Sequence, residues 1–135
     1  MPLLNKATPV LVVDRIEPVL PFWKKVGLTP STEVPGADGQ LAFVILAAAG
    51  VEIMYQTAAS VQQDLVKSAT IKDAFRAVPQ QATLFVEVSR LADVASRLDG
   101  QLVVMPERRT FYGSTEIGYV DPAGNIVVFA EHCGS

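Results

Sequence analysis

Side chains able to do chemistry are sparse and scattered in this sequence. It holds one histidine, His132, and one cysteine, Cys133, side by side near the C-terminus. Glu52, in GVEIMYQ, and Glu87, in TLFVEVSRL, are carboxylates set among large apolar residues. Such a group must find a hydrogen-bond or charge partner, or burial raises its pKa into the range of a general base. For Glu52 a contact to a bound ligand is the favoured role, ahead of catalysis. His132 reads as a solvated residue near the chain end rather than a base. Cys133 has no second thiol to pair with and no partner to activate it. Arg108 and Arg109, in PERRTFYG, suit a rim clamp for an anionic group, with Phe111 and Tyr112 as a stacking surface. A solvated loop accounts for them equally well. The sequence contains no Gly-rich phosphate loop and no Ser-His-Asp series, so no catalytic residue is assigned.

A repeated phrase must position these groups. TPVLVVDRI, Thr8 to Ile16, returns as TLFVEVSRL, Thr83 to Leu91. The first copy predicts a strand over Thr8 to Val13, with Asp14 capping a helix that Pro18 can start. That helix carries Phe22 and Trp23, is kept short by Pro21, and stops at Gly27 in the left-handed conformation. Trp23 is expected against a sheet edge. Strands around Leu28 to Val34 and Gln40 to Ala47 follow, separated by PGADG, and VEIMYQ makes a fourth. Between Thr57 and Gln81 the pattern is helical. Ser60 and Gln63 fit a capping box ahead of Val61, Leu65 and Val66, and Thr70 can cap a second turn ending at Pro79. The order then restarts: a strand over Thr83 to Val88, a helix over Leu91 to Leu98 stopped by Gly100, then QLVVM, TFYGSTEIGYV, the turn DPAG and NIVVFAE. This gives an α+β chain of two tandem β-α-β-β-β modules in a single domain, 1–135. Module one spans about 7–57, a helical connector about 58–81, and module two about 82–132.

Residues two apart in a strand share a face. Leu11, Val13, Leu84, Val86 and Val88 fall with Val51, Ile53, Val127 and Phe129 on a uniformly apolar face, which should lie under the helices. Thr8, Val10, Val12, Thr83, Phe85 and Glu87 fall on the other, with Glu52, Met54, Gln56, Val128, Ala130 and His132. A face half lined with apolar groups and dotted with carboxylates suits the wall of a ligand cleft, and a dimer interface tolerates the same composition. Glu116 shares parity with Gly118, and Ile117 with Tyr119, but the turn does not reveal which pair faces the cleft.

Composition removes other classes. Half the residues are hydrophobic, the net charge is −3, and no block of like charges occurs. Nucleic-acid binding would need a basic face. No apolar run approaches the ~18 residues that span a bilayer. Pro2, Asn5, Lys6 and Pro9 break the opening stretch, which reads as neither signal peptide nor anchor. The expectation is a soluble, cytoplasmic protein.

The two β-α-β-β-β modules, the helix exit FW…VGL, GVEIMYQ, and DPAGN before the final strand together resemble the vicinal oxygen chelate superfamily, in particular its glyoxalase / bleomycin-resistance-protein / dioxygenase group. The resemblance covers nearly the whole chain and implies an open, barrel-like mixed sheet around a cleft. It also implies a metal held by a His or Gln early in the first strand of each module and a Glu in each last strand. Carried onto this sequence, those positions are Thr8, Thr83, Glu52 and Val128. A threonine hydroxyl is a weak ligand for zinc, nickel or iron, and valine offers none. The expectation is therefore no metal and no cofactor. The resemblance implies a small-molecule binding protein, such as one sequestering a drug, with a cleft lined by Thr8, Glu52, Met54, Thr83, Phe85, Glu87, Arg109, Phe111, Tyr112 and Val128. The alternative is a lyase, isomerase or dioxygenase of the same fold with an atypical or absent metal site. A homodimer is compatible with either.

Overall fold

A computed structural model describes residues 3, 6–64 and 82–132. Eight strands and three helices are present among them. They run β1 (Val10–Val13), α1 (Val19–Lys24), β2 (Thr29–Pro35), β3 (Leu41–Ala48), β4 (Val51–Thr57), α2 (Ala58–Asp64), β5 (Thr83–Glu87), α3 (Leu91–Arg97), β6 (Val103–Arg109), β7 (Ser114–Val120) and β8 (Ile126–His132). Each half is β-α-β-β-β, as the repeated phrase predicts. The chain divides into two compact units, Met1–Glu17 with Leu28–Gln80, and Pro18–Gly27 with Gln81–Ser135.

The first unit holds a four-stranded sheet in the order β1-β4-β3-β2. Its β1–β4 pair is parallel and the others are antiparallel. Leu11, Val13, Val44, Leu46, Ile53 and Tyr55 are buried on one face. Each such side chain removed from water stabilises the fold by roughly 1.5–3 kcal/mol. The other face carries half-buried Glu52, Met54 and Gln56. The β1 ladder begins at Val10, two residues later than expected. Pro9 has no N–H to offer, though its carbonyl accepts from Met54 N at 3.0 Å.

The second unit repeats the pattern, in the order β5-β8-β7-β6. Ile117, Tyr119, Val127 and Phe129 are buried on one face, together with Leu91, Val94 and Leu98 from the α3 region. The DPAG turn forms as expected: Gly124 N donates to Asp121 O at 3.0 Å, with Gly124 at φ +93°. The buried Asp121 carboxylate also accepts from Ala123 N and Asn125 N, each at 2.9 Å. Asn125 Oδ1 accepts from Ala82 N at 2.8 Å, which ties the turn to the start of β5.

Four local expectations need correction. Asp14 does not cap α1; the helix starts at Pro18 with no side-chain cap. Pro21, third in that helix, is tolerated because the first N–H groups have no helical partner to lose. Trp23 does not sit at a sheet edge. Its ring lies 6.2 Å from Phe129 on β8, an inner strand of the second sheet, and Phe129 in turn meets Tyr119 at 5.9 Å. The helix between the first two strands thus packs with the second sheet. The α2 helix begins at Ala58 rather than after Ser60, because Thr57 Oγ1 accepts from Ser60 N at 3.2 Å and acts as the cap. Ser60 Oγ instead accepts from Gln56 Nε2 at 3.0 Å. Finally, Phe111 and Tyr112 are not in a strand. They occupy the β6–β7 hairpin turn, closed by Thr110 N to Ser114 O at 2.8 Å, while Arg108 and Arg109 belong to β6 itself. The expected connector beyond Asp64, including Thr70 and Pro79, and Cys133 lie outside the described residues.

Candidate functional site

The open face of the second sheet is fixed by register. Phe85 stands beside Val128, Glu87 beside Ala130, Gly118 beside Val128 and Glu116 beside Ala130. Cross-strand partners share a face, so Glu116 and Gly118 join Thr83, Phe85, Glu87, Val128 and His132, while Ile117 and Tyr119 face the core. The centre of this face is built of small residues and is covered: Gly118 and Ala130 are both buried, and the Met105 side chain lies over Gly118. Phe85 stands out of it, 53% exposed.

Glu116 is the polar centre of this face. Its side chain is 1% exposed. Tyr112 Oη donates to Oε2 at 2.5 Å and Ser114 Oγ donates to the same atom at 3.0 Å. Among the described residues, Oε1 receives only Arg108 Nη2, at 3.4 Å. The Tyr112 hydroxyl foremost, then Ser114 and Arg108, hold the carboxyl below its ordinary pKa against the opposing effect of burial. Thr110 Oγ1 and Ser114 Oγ are within 2.9 Å, extending the network to the hairpin base. Across Ala130 from Glu116, at the same end of the face, His132 Nε2 contacts Glu87 Oε1 in a close pair. Of the two arginines, Arg108 pairs with Glu116, whereas Arg109 pairs with Thr115 on the opposite parity. Phe111 is fully exposed at the hairpin tip and stacks edge-on against Tyr112 with ring centres 5.1 Å apart. Sequence reasoning left Glu116 undecided, since a strand entered from an unplaced turn has no absolute parity.

On the first sheet the expected residues form a separate set. Thr8 Oγ1 donates to Glu52 Oε1 at 3.1 Å, and Lys6 Nζ reaches the same oxygen at 2.8 Å. The lysine bond first, then the threonine bond, lower the Glu52 pKa. Met54 lies two residues along the same face, opposite Val10. The ladders also refine the correspondence between modules. Val10 pairs with Met54 as Phe85 pairs with Val128, so Met54 matches Val128, and Ile126, beside Thr83, matches Glu52.

These residues do not fit a metal. Glu52 is already engaged by an ammonium group, Thr8 donates to it, and both Val128 and Ile126 are hydrocarbon. Among the described residues no three His, Cys, Asp or Glu side chains converge. A cavity of about 290 Å³ opens elsewhere in the first unit, lined in part by Asp14, Arg15, Glu17, Asp38 and Ser60. Glu17 Oε2 there accepts from Leu41 N at 2.7 Å, a bond that lowers its pKa, and Oε1 has no hydrogen-bond partner among the described residues. No helix among the described residues is long and apolar enough to cross a membrane.

The sequence matches no protein-family model and no curated protein. Solved structures do match. A glyoxalase / bleomycin resistance protein / dioxygenase from Nocardioides is 16% identical, with 100% of this chain and 88% of that chain covered and a TM-score of 0.67. A glyoxalase-related enzyme from Fulvimarina pelagi is 16% identical over 96% and 89%, with a TM-score of 0.68. A bleomycin-binding protein complexed with bleomycin is 12% identical over 96% and 99%, with a TM-score of 0.63. At these identities the likeness shows the fold alone, the glyoxalase/bleomycin-resistance fold.

Proposed function

We propose that this chain, built on the glyoxalase/bleomycin-resistance fold, is a metal-free binding protein for a small, partly aromatic molecule, and that it acts by sequestration. The observation that carries this reading is the open face of the second sheet. There the buried, ionised Glu116 carboxylate stands behind the exposed rings of Phe85 and Tyr112. Exposed aromatic side chains with a few placed polar groups are the composition of a ligand site. The bleomycin-bound neighbour makes bleomycin the first compound to try.

A thermal melt tests it. The protein is scanned with chelator, with zinc, nickel, manganese or ferrous iron, and with a panel of aromatic drugs including bleomycin. A ligand at a hundred times its dissociation constant adds about 2.7 kcal/mol, several degrees for a domain of this size. The expected result is a shift with one or more drugs that Phe85→Ala abolishes. Coincident curves for every drug overturn the reading, as does a metal-induced shift that Glu52→Ala removes.

One observation favours a second reading, a lyase or isomerase. The His132–Glu87 pair on the same face has the form of an oriented base. His132→Ala that retains drug binding but abolishes turnover of a substrate would establish it.

A further inference from the structure

We infer that Glu116 is the anchor for a guanidinium or amidinium group on the ligand, and that Arg108 is a built-in stand-in that such a ligand displaces. This inference rests on the open-face reading and names the ligand class for it. The two oxygens of Glu116 are unequally served. Oε2 accepts two hydroxyl donors, at 2.5 and 3.0 Å. Among the described residues, Oε1 has only the Arg108 guanidinium, at 3.4 Å, well beyond the ~2.7–2.9 Å of a strong charge-assisted bond. A side chain that is 1% exposed is thus left with an under-used charged oxygen. Leaving a buried charged acceptor poorly paired is unfavourable, so a better donor has free energy to gain.

Arg108 is placed to give way. Its side chain is 57% exposed. It stands on β6, the edge strand, where the register is irregular between Met105 and Arg108. An ion pair with one partner in water contributes little, and the arginine loses little by returning to solvent. The entering group is also specified. A planar fork of N–H donors matches a carboxylate oxygen that lies beside an already occupied one, and a flat cation can lie against an aromatic face. The Tyr112 ring, 50% exposed, supplies that face directly beside Glu116. Phe85, 53% exposed on the same face, then takes the apolar body. The first sheet has no counterpart: its residue corresponding to Glu116, through the Gln56 pairing that matches Ala130, is Phe43.

Benzamidine and its neutral analogue benzamide are the probes, titrated calorimetrically into wild type, Arg108→Ala and Glu116→Gln, with Phe85→Ala as a control. Wild type should prefer benzamidine, and Arg108→Ala should bind it about tenfold tighter, the scale of one charge-assisted hydrogen bond. Glu116→Gln should remove the preference while benzamide binding stays unchanged. Should Glu116→Gln fail to fold, Arg108→Ala and the probe pair decide alone. Equal binding of both probes to wild type, or weaker benzamidine binding by Arg108→Ala, overturns this inference. If benzamide still binds and Phe85→Ala weakens it, the open-face reading survives that failure. If neither probe nor any drug of the panel binds, both fall together.

Discussion

Gly118 offers a measurable test of how the open face is built. A Cβ placed on it would lie 2.9 Å from the Met105 Cβ and 3.6 Å from Met105 Cε. Carbon pairs are comfortable at about 3.5–4.0 Å, so β6 and β7 would have to part by roughly 0.6–1 Å. Both Cβ atoms are fixed by their backbones, and no rotamer relieves the contact. Overpacking of this kind costs about 1–3 kcal/mol, offset by the ~0.4–1 kcal/mol that a stiffer unfolded chain contributes. Gly118→Ala should therefore destabilise by about 1–2 kcal/mol. Urea unfolding followed by the fluorescence of the single, buried Trp23 measures it, read as a shift in midpoint at constant slope. In a Met105→Gly background the opposing Cβ is gone, and the same substitution should become neutral or mildly stabilising. A neutral Gly118→Ala in wild type would refute the reasoning, and so would an equal penalty in both backgrounds.

Two further predictions concern the rest of the fold. A double-mutant cycle between Trp23→Leu and Phe129→Leu should show a coupling of about 0.5–1.5 kcal/mol, because their rings meet at 6.2 Å; additive effects would mean that α1 packs elsewhere. The second concerns acid. Glu17, Glu52 and Glu116 all have folded pKa values lowered from the ordinary 4.5. A depressed carboxyl contributes stability that is present above the unfolded value and lost as pH falls through the folded one. The urea midpoint should hold near neutrality and drop as pH falls below about 4.5. Glu116→Gln should flatten that decline, and an unchanged acid slope in this variant would contradict the assigned hydrogen bonds.

Local rules carried the sequence reading a long way. The repeated phrase gave two β-α-β-β-β modules. Period-two alternation separated Leu11, Val13, Val127 and Phe129 from Thr8, Glu52, Phe85 and Glu87, since neighbouring side chains in a strand must point to opposite faces. Gly27 and Gly100 marked the helix exits, and both adopt left-handed φ, +91° and +89°. Asp121 to Gly124 announced its turn. Each of these depends on residues a few positions apart.

Tertiary structure decided the rest. Whether Glu116 faces the core or the open side depends on the β7–β8 register, which the ladder with Ala130 sets and no local pattern contains. That Arg108 rather than Arg109 pairs with it depends on irregularities within β6. That Ile126, not Val128, matches Glu52 follows from parallel pairing between strands distant in sequence. The placement of Trp23 on Phe129 joins residues on different modules. Nothing in the helix itself could announce it, because an apolar stripe says that a face must be buried but not against which partner.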